Sequence, residues 1–123
     1  MSEYRSATYF DNWSTNFHDA SPEKRQELVR RFHTSYQITV KNGSEQSQIL
    51  IDLKRGDGEI TTEIYGHPDV YLQVHEFQFC DWAEGKSSSE NLFRSAKLKV
   101  KGNIMAAMNI NGLFQELNSL ESD

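Results

Sequence analysis

Between residues 35 and 75 apolar side chains fall on every second position in four separate runs. Tyr36, Ile38 and Val40 alternate with Gln37, Thr39 and Lys41, and Asn42-Gly43 then supplies a turn signal. Ile49, Ile51 and Leu53 form the second run, with Asp52 and Lys54 directed outward. After Arg55-Gly56-Asp57-Gly58, a second turn signal, Ile60, Thr62 and Ile64 share one side and Glu59, Thr61 and Glu63 the other. Beyond Gly66 and Pro68 the run Val70, Leu72, Val74 repeats the pattern. A period of two predicts strands with one face in a core and one in water. Four such strands joined by short turns read as a meander.

The flanks carry the helical period instead. Tyr9, Phe10, Trp13 and Phe17 mark an amphipathic first helix, whose ordinary role is to dock on the domain. Its aromatics equally suit a pocket mouth or a membrane surface. Ser21-Pro22-Glu23 is a helix start, and Leu28, Val29 and Phe32 are the buried stripe that follows. The stretch from His75 to Gly85 is rich in aromatics, with Phe77, Phe79 and Trp82, and Gly85-Lys86 stops it. A serine among positions 87–89 caps a further short helix that buries Leu92 and Phe93. Lys97, Lys99 and Lys101 then alternate with Leu98 and Val100 in a fifth strand, before Gly102-Asn103 and a long terminal helix. The fold class is therefore α+β, with about five helices on one face of a mostly antiparallel five-stranded sheet.

The terminal helix holds more apolar residues than one face needs. At 100° per residue Ala106, Ile110, Leu113, Phe114, Leu117 and Leu120 form one stripe, while Ile104, Met105 and Met108 lie on the other side. That second cluster is enclosed by neighbouring helices, meets a partner protein, or lines a cavity for an apolar ligand. Methionine suits the last two, because its flexible side chain adapts to varied apolar shapes.

Length and charge narrow the classes. The 123 residues suffice for one domain, and 37% hydrophobic with 25% charged residues describes an ordinary globular chain. A net charge of −5 argues against a nucleic-acid binder. No stretch approaches the roughly 20 apolar residues of a membrane span. The start MSEYRSATYF lacks a secretory signal pattern, and the lone Cys80 cannot form an internal disulfide. Both point to a reducing, cytoplasmic compartment. The end, NSLESD, differs from a peroxisomal targeting tripeptide.

No catalytic constellation emerges. His18, His33, His67 and His75 lack metal-ligand spacing, and no basic group in sequence beside Cys80 would activate its thiol. Asp52, Asp57, Glu59 and Glu63 read as a solvated face, and no metal or cofactor is expected. Lys97, Lys99 and Lys101, with Lys86 and Arg94 near in sequence, are either a solubilising strand face or a patch for anionic membrane surfaces or CoA phosphates.

The run Phe79-x-x-Trp82-x-x-Gly85-Lys86, then Leu92-Phe93, then Lys97-Leu98-Lys99-Val100-Lys101-Gly102-Asn103 and the terminal helix, closely resembles the sterol carrier protein 2 domain, or non-specific lipid-transfer protein. ILIDLK at 49–54 and Asp69-Val70-Tyr71-Leu72 match two of that family's strands, so the resemblance spans about Phe32 to Leu120. It implies a five-stranded sheet covered by helices, with a hydrophobic tunnel between them. It also implies a non-catalytic, monomeric carrier of fatty acids, acyl-CoA, sterols or phospholipids. By position, the tunnel would be lined by Phe32, the sheet residues Ile38, Ile51, Leu53, Val70 and Leu72, and the aromatics Phe77, Phe79 and Trp82. Leu92, Phe93, Ile104, Met105, Met108, Leu113 and Leu117 would complete it. Lys97, Lys99 and Lys101 would contact a headgroup or membrane surface. Two features depart from the family: Ala96 stands where glycine is common, and the tail lacks the peroxisomal signal of many members. A protein-interaction module with a filled core, using the Met-bearing terminal helix and the aromatic first helix, is the competing expectation.

Overall fold

Tyr36, Ile38 and Val40 lie on the middle strand of the sheet, paired on one side with the next strand in the chain and on the other with a strand much further along it. The computed structural model describes residues 5–120. The first four residues and the Glu121-Ser122-Asp123 tail, on which the readings of export and peroxisomal targeting partly rest, lie outside them.

Helices α1 (Arg5–Asp19) and α2 (Pro22–Phe32) come first. Strands β1 (Ser35–Asn42), β2 (Glu45–Asp52), β3 (Glu59–Thr61) and β4 (Val70–His75) follow. Helices α3 (Glu76–Ala83) and α4 (Ser89–Arg94) lead to β5 (Leu98–Gly102), and α5 (Ile104–Met108) and α6 (Ile110–Ser119) close the chain.

The sheet order is β3-β2-β1-β4-β5, and β4 runs parallel to β1. The four strands are thus not a meander. Only β1, β2 and β3 follow one another; residues 62–69 then cross the ends of β2 and β1 to start β4 on the far side. Alternation fixes which side chains face the core, whereas the neighbour of a strand is a long-range choice. Tyr36, Ile38 and Val40 align with Ile51, Ile49 and Ser47 on one side, and with Val70, Leu72 and Val74 on the other.

Three further expectations are corrected. The third strand ends at Thr61, so Thr62 is exposed and Ile64 only partly buried. The outer face is not wholly solvated: Thr39, Leu50 and Asp52 are buried on it, with the 62–69 crossover lying beside the last two. Tyr65 in that crossover donates its hydroxyl to Asp52 and to Glu59. Finally, the terminal helix is two helices. The amide of Asn109 is shared between the Met105 and Ala106 carbonyls, and the helix restarts at Ile110. That break rotates the stripe, so Ala107, rather than Ala106, is the alanine fully buried.

Helix ends follow their local chemistry. Ser21, Ser88 and Asn103 accept the amides of Lys24, Asn91 and Ala106 at the starts of α2, α4 and α5. Helices α1, α3 and α6 are joined to one another by an aromatic stack. Trp13 lies flat on Phe114 with centroids 5.1 Å apart, and Trp82 meets the same ring edge-on at 4.8 Å. Phe79 sits among Tyr9, Phe10, Trp13 and Trp82. Leu28 and Val29 of α2 are buried, while Phe32 is only half-buried at its end.

Candidate functional site

A groove of about 1160 Å³ opens on the helical side, between the end of α3, helix α4 and the α5–α6 pair. Phe93, Ile104 and Met108 supply its apolar wall, and Glu84, Glu90 and Arg94 its charged rim. Asn111, Gly112, Gln115 and Asn118 from α6 line it too.

The α6 amides seal the groove from the core. Asn111 accepts the amide and hydroxyl of the buried Ser89 at 2.8 and 2.9 Å, and the same hydroxyl accepts the Trp82 indole N–H at 2.8 Å. Asn118 accepts the Trp13 indole N–H at 2.8 Å and donates to the Ala83 carbonyl. Both tryptophans therefore present their polar edges to the groove and their rings to the interior, and neither buries an unpaired N–H. The spacing of Asn111, Gln115 and Asn118 (i, i+4, i+7) is a polar stripe legible in the sequence, but the apolar excess of the same helix drew the reading away from it.

The sixteen expected lining residues separate into three groups. Ile38, Ile51, Leu53, Val70, Leu72, Phe79, Trp82, Leu92, Leu113 and Leu117 belong to one buried core, against which Phe32 and Met108 pack in part. Phe93 and Ile104, 40% and 50% exposed, join Met108 at the groove. Phe93 is thus not buried by α4 as expected, because α4 turns Ser89 and Leu92 inward instead. Phe77 and Met105 are 82% and 76% exposed. Lys97, Lys99 and Lys101 are exposed on the outer side of the sheet, away from the groove.

A charge cluster clasps α1 to the groove rim. Glu84 accepts the Tyr9 hydroxyl and pairs with Lys86 at 3.1 Å and Arg5 at 4.0 Å. The Tyr9 bond and Lys86 hold the Glu84 carboxyl below its ordinary range. Burial, with that same hydrogen bond, pushes Tyr9 up to about 12. Burial also raises the Cys80 thiol, opposing thiolate formation. Among the described residues no group of three His, Cys, Asp or Glu side chains could hold a metal ion. No helix among them is long and apolar enough to cross a membrane.

Residues 15–115 match the model of the SCP-2 sterol transfer family. The chain belongs to that family. The structure aligns with sterol carrier protein 2 from Yarrowia lipolytica in its apo form at a TM-score of 0.85 and 27% identity, covering 97% of this chain and 96% of that one. The oleate-induced peroxisomal protein POX18 of Candida maltosa is 37% identical over 80% of either chain. A fatty acid-binding protein of Yarrowia lipolytica is 29% identical over 91% of this chain and 90% of its own. This chain also matches much longer enzymes, spanning 21% of the length of one of them. Within the SCP-2 family fold, the groove lies between elements that all fall inside the matched residues or within four of them.

Proposed function

We propose that this chain is a non-catalytic carrier domain for apolar lipids: fatty acids, acyl-CoA, sterols or phospholipids. The observation that carries the reading is the groove, in which Ile104 and Phe93 stay exposed and Met108 half-exposed directly beside the hydrophobic core. Family membership and the fatty acid-binding relative support it.

The mechanism is physical. Each Å² of acyl or sterol surface removed from water contributes about 25 cal/mol. The apolar wall takes that surface, and the charged rim leaves a carboxylate or phosphate in water, where its charge costs nothing to desolvate. Deeper entry moves side chains of a closed core. The break at Asn109 is the natural pivot, because α5 has five residues and carries only Ala107 fully into the core. The inward sheet positions Ile38, Ile49, Ile51, Val70 and Leu72 are aliphatic, which supports a carrier role over a catalytic one. It acts as a monomer that touches membranes transiently. As to compartment, the peroxisomal Candida relative supports a peroxisomal setting beside the cytoplasmic one expected from the sequence.

Native mass spectrometry of gently purified protein, before and after incubation with palmitate and palmitoyl-CoA, tests the reading. One-to-one lipid adducts are expected. A mass that stays clean would overturn it and leave the interaction module, which the filled core and the 76% exposed Met105 then favour. That module would rely on α5 alone, since Phe10, Trp13 and Phe17 of α1 are buried.

A further inference from the structure

The outer face of the sheet carries a basic corner that lies away from the groove and lines no part of it. Lys99 and Lys101 on β5 stand opposite Gln73 and Tyr71 on β4, and Lys97 continues their alternation. Two strands further in, Lys41 on β1 aligns with His75 on β4. These four lysines are exposed, and none joins an ion pair among the described residues. The outward positions of β1, β4 and β5 include no carboxylate. The acids of this face collect at the other corner, where Tyr65 holds Asp52 and Glu59, and Lys54 holds Asp69 at 2.8 Å.

Keeping an edge strand from pairing explains lysines on β5. It does not explain Lys41, because β1 lies between β2 and β4 and has no edge to guard. In a chain of net charge −5, unpaired lysines gathered at one corner form a field with a direction. The floor beside them is polar: Tyr71 donates to Gln73 on β4, and Thr39 on β1 accepts from Gln48 on β2. A bilayer fits poorly, since the exposed Phe93, Ile104 and Met105 belong to the helical layer and docking on the sheet would turn the groove away from the lipid. A second copy of the chain is repelled where lysine would face lysine.

We propose that this corner docks an acidic surface segment of another protein, holding the carrier by its sheet and leaving the helical groove free. The partner fitted is a run of alternating carboxylates, matching the spacing of Lys97, Lys99 and Lys101 along an extended strand.

The test follows backbone amide NMR shifts while a short peptide alternating glutamate and serine is added at low salt. In parallel, vesicles of phosphatidylserine in phosphatidylcholine are added to a second sample. Shifts confined to Lys41, Gln73, Lys99 and Lys101 are expected, fading as salt rises. The Lys41→Gln, Lys99→Gln, Lys101→Gln triple variant should bind the peptide several-fold more weakly, with an unchanged melting temperature. The corresponding Lys→Arg variant should bind as the unaltered chain does, which separates a role for charge from damage to the fold. Peptide shifts on the helices, or none anywhere, would overturn the proposal. So would vesicle binding through these amides with the peptide silent, which would make the corner a membrane contact. Concentration-dependent shifts without peptide would also overturn it, in favour of self-association.

Discussion

Gly85 and Ala96 do the same work at the ends of α3 and α4. Each sits at positive φ, 82° and 63°, and each helix ends in the same paired bonds. Gly85 and Lys86 donate to Trp82 and Asp81; Ala96 and Lys97 donate to Phe93 and Leu92. Alanine in that region costs about 1–2 kcal/mol in backbone strain, partly offset by its stiffer unfolded chain. Ala96→Gly should therefore stabilise the protein by about 1 kcal/mol, read as a rise in the urea midpoint at constant slope. Gly102 is the opposite case, with φ 94° and a site where an added Cβ would run into the Asp69 carbonyl. That backbone must shift, and Asn103 donates to the same carbonyl. Gly102→Ala should cost about 3 kcal/mol, and an unchanged midpoint would refute the close approach. The sequence flagged Ala96 as a departure from its family's glycine; the torsion shows what the departure strains.

On α6, Gly112 faces the groove with nothing within 4 Å of where a side chain would begin. Gly112→Ala should gain about 0.5–1 kcal/mol of helix stability and leave lipid uptake nearly intact. Gly112→Leu should fold equally well but fill the groove, so its palmitate adduct in native mass spectra should fall sharply. Full uptake by that variant would place the lipid elsewhere. The groove was poorly legible beforehand. The excess of apolar residues on the terminal helix is visible in the sequence, but Ile104 and Met105 stay 50% and 76% exposed, and where they point depends on the break at Asn109. That break is a local change of bonding, the Asn109 amide shared between the Met105 and Ala106 carbonyls, which apolar periodicity does not encode. Asn118 belongs to the same lesson: it joins Trp13, 105 residues away in the chain, to the Ala83 carbonyl. Asn118→Ala would orphan both partners and should lower stability by about 1–3 kcal/mol.

For the whole molecule, ionisable ties stitch distant segments together, so stability should depend on pH at both extremes. Arg31 and Lys24 of α2 pair with Glu116 of α6 at 2.6 and 3.2 Å. The Arg31 bond first, and then the Lys24 bond, lower the Glu116 carboxyl; the Lys54 bond lowers Asp69 likewise. A carboxyl lowered in the folded state contributes stability above its unfolded value, 4.5 or 3.8 for these two, which is lost as pH falls below it. Tyr9 and Tyr65 are raised from 10.0 to about 12, chiefly by burial and then by bonds to Glu84 and Glu59. The unfolded chain gives up those protons first, so their contribution is complete below pH 10 and is lost between 10 and about 12. Melting temperatures should form a plateau near neutrality that falls on both sides. Tyrosinate absorbance should show Tyr9 and Tyr65 ionising late. A flat profile from pH 10 to 12 would mean that neither tie holds in solution.

By itself the sequence determined which way residues point. Alternation placed Ile38, Ile51, Val70 and Leu72 inward, the helical period buried Phe10, Trp13 and Phe17, and Ser21 and Gly85 marked where helices start and stop. These are local facts, encoded within one turn or one strand and independent of any neighbour. Its family motif then carried the five-stranded fold. Only the tertiary structure decided that β4 lies parallel to β1, that Asp52 is 7% exposed beneath Tyr65, that α5 and α6 part at Asn109, and that Lys41 shares a corner with Lys99. All but the Asn109 break join segments that lie apart in the chain. Their arrangement follows from how whole elements pack, because several strand orders satisfy the same inward and outward pattern.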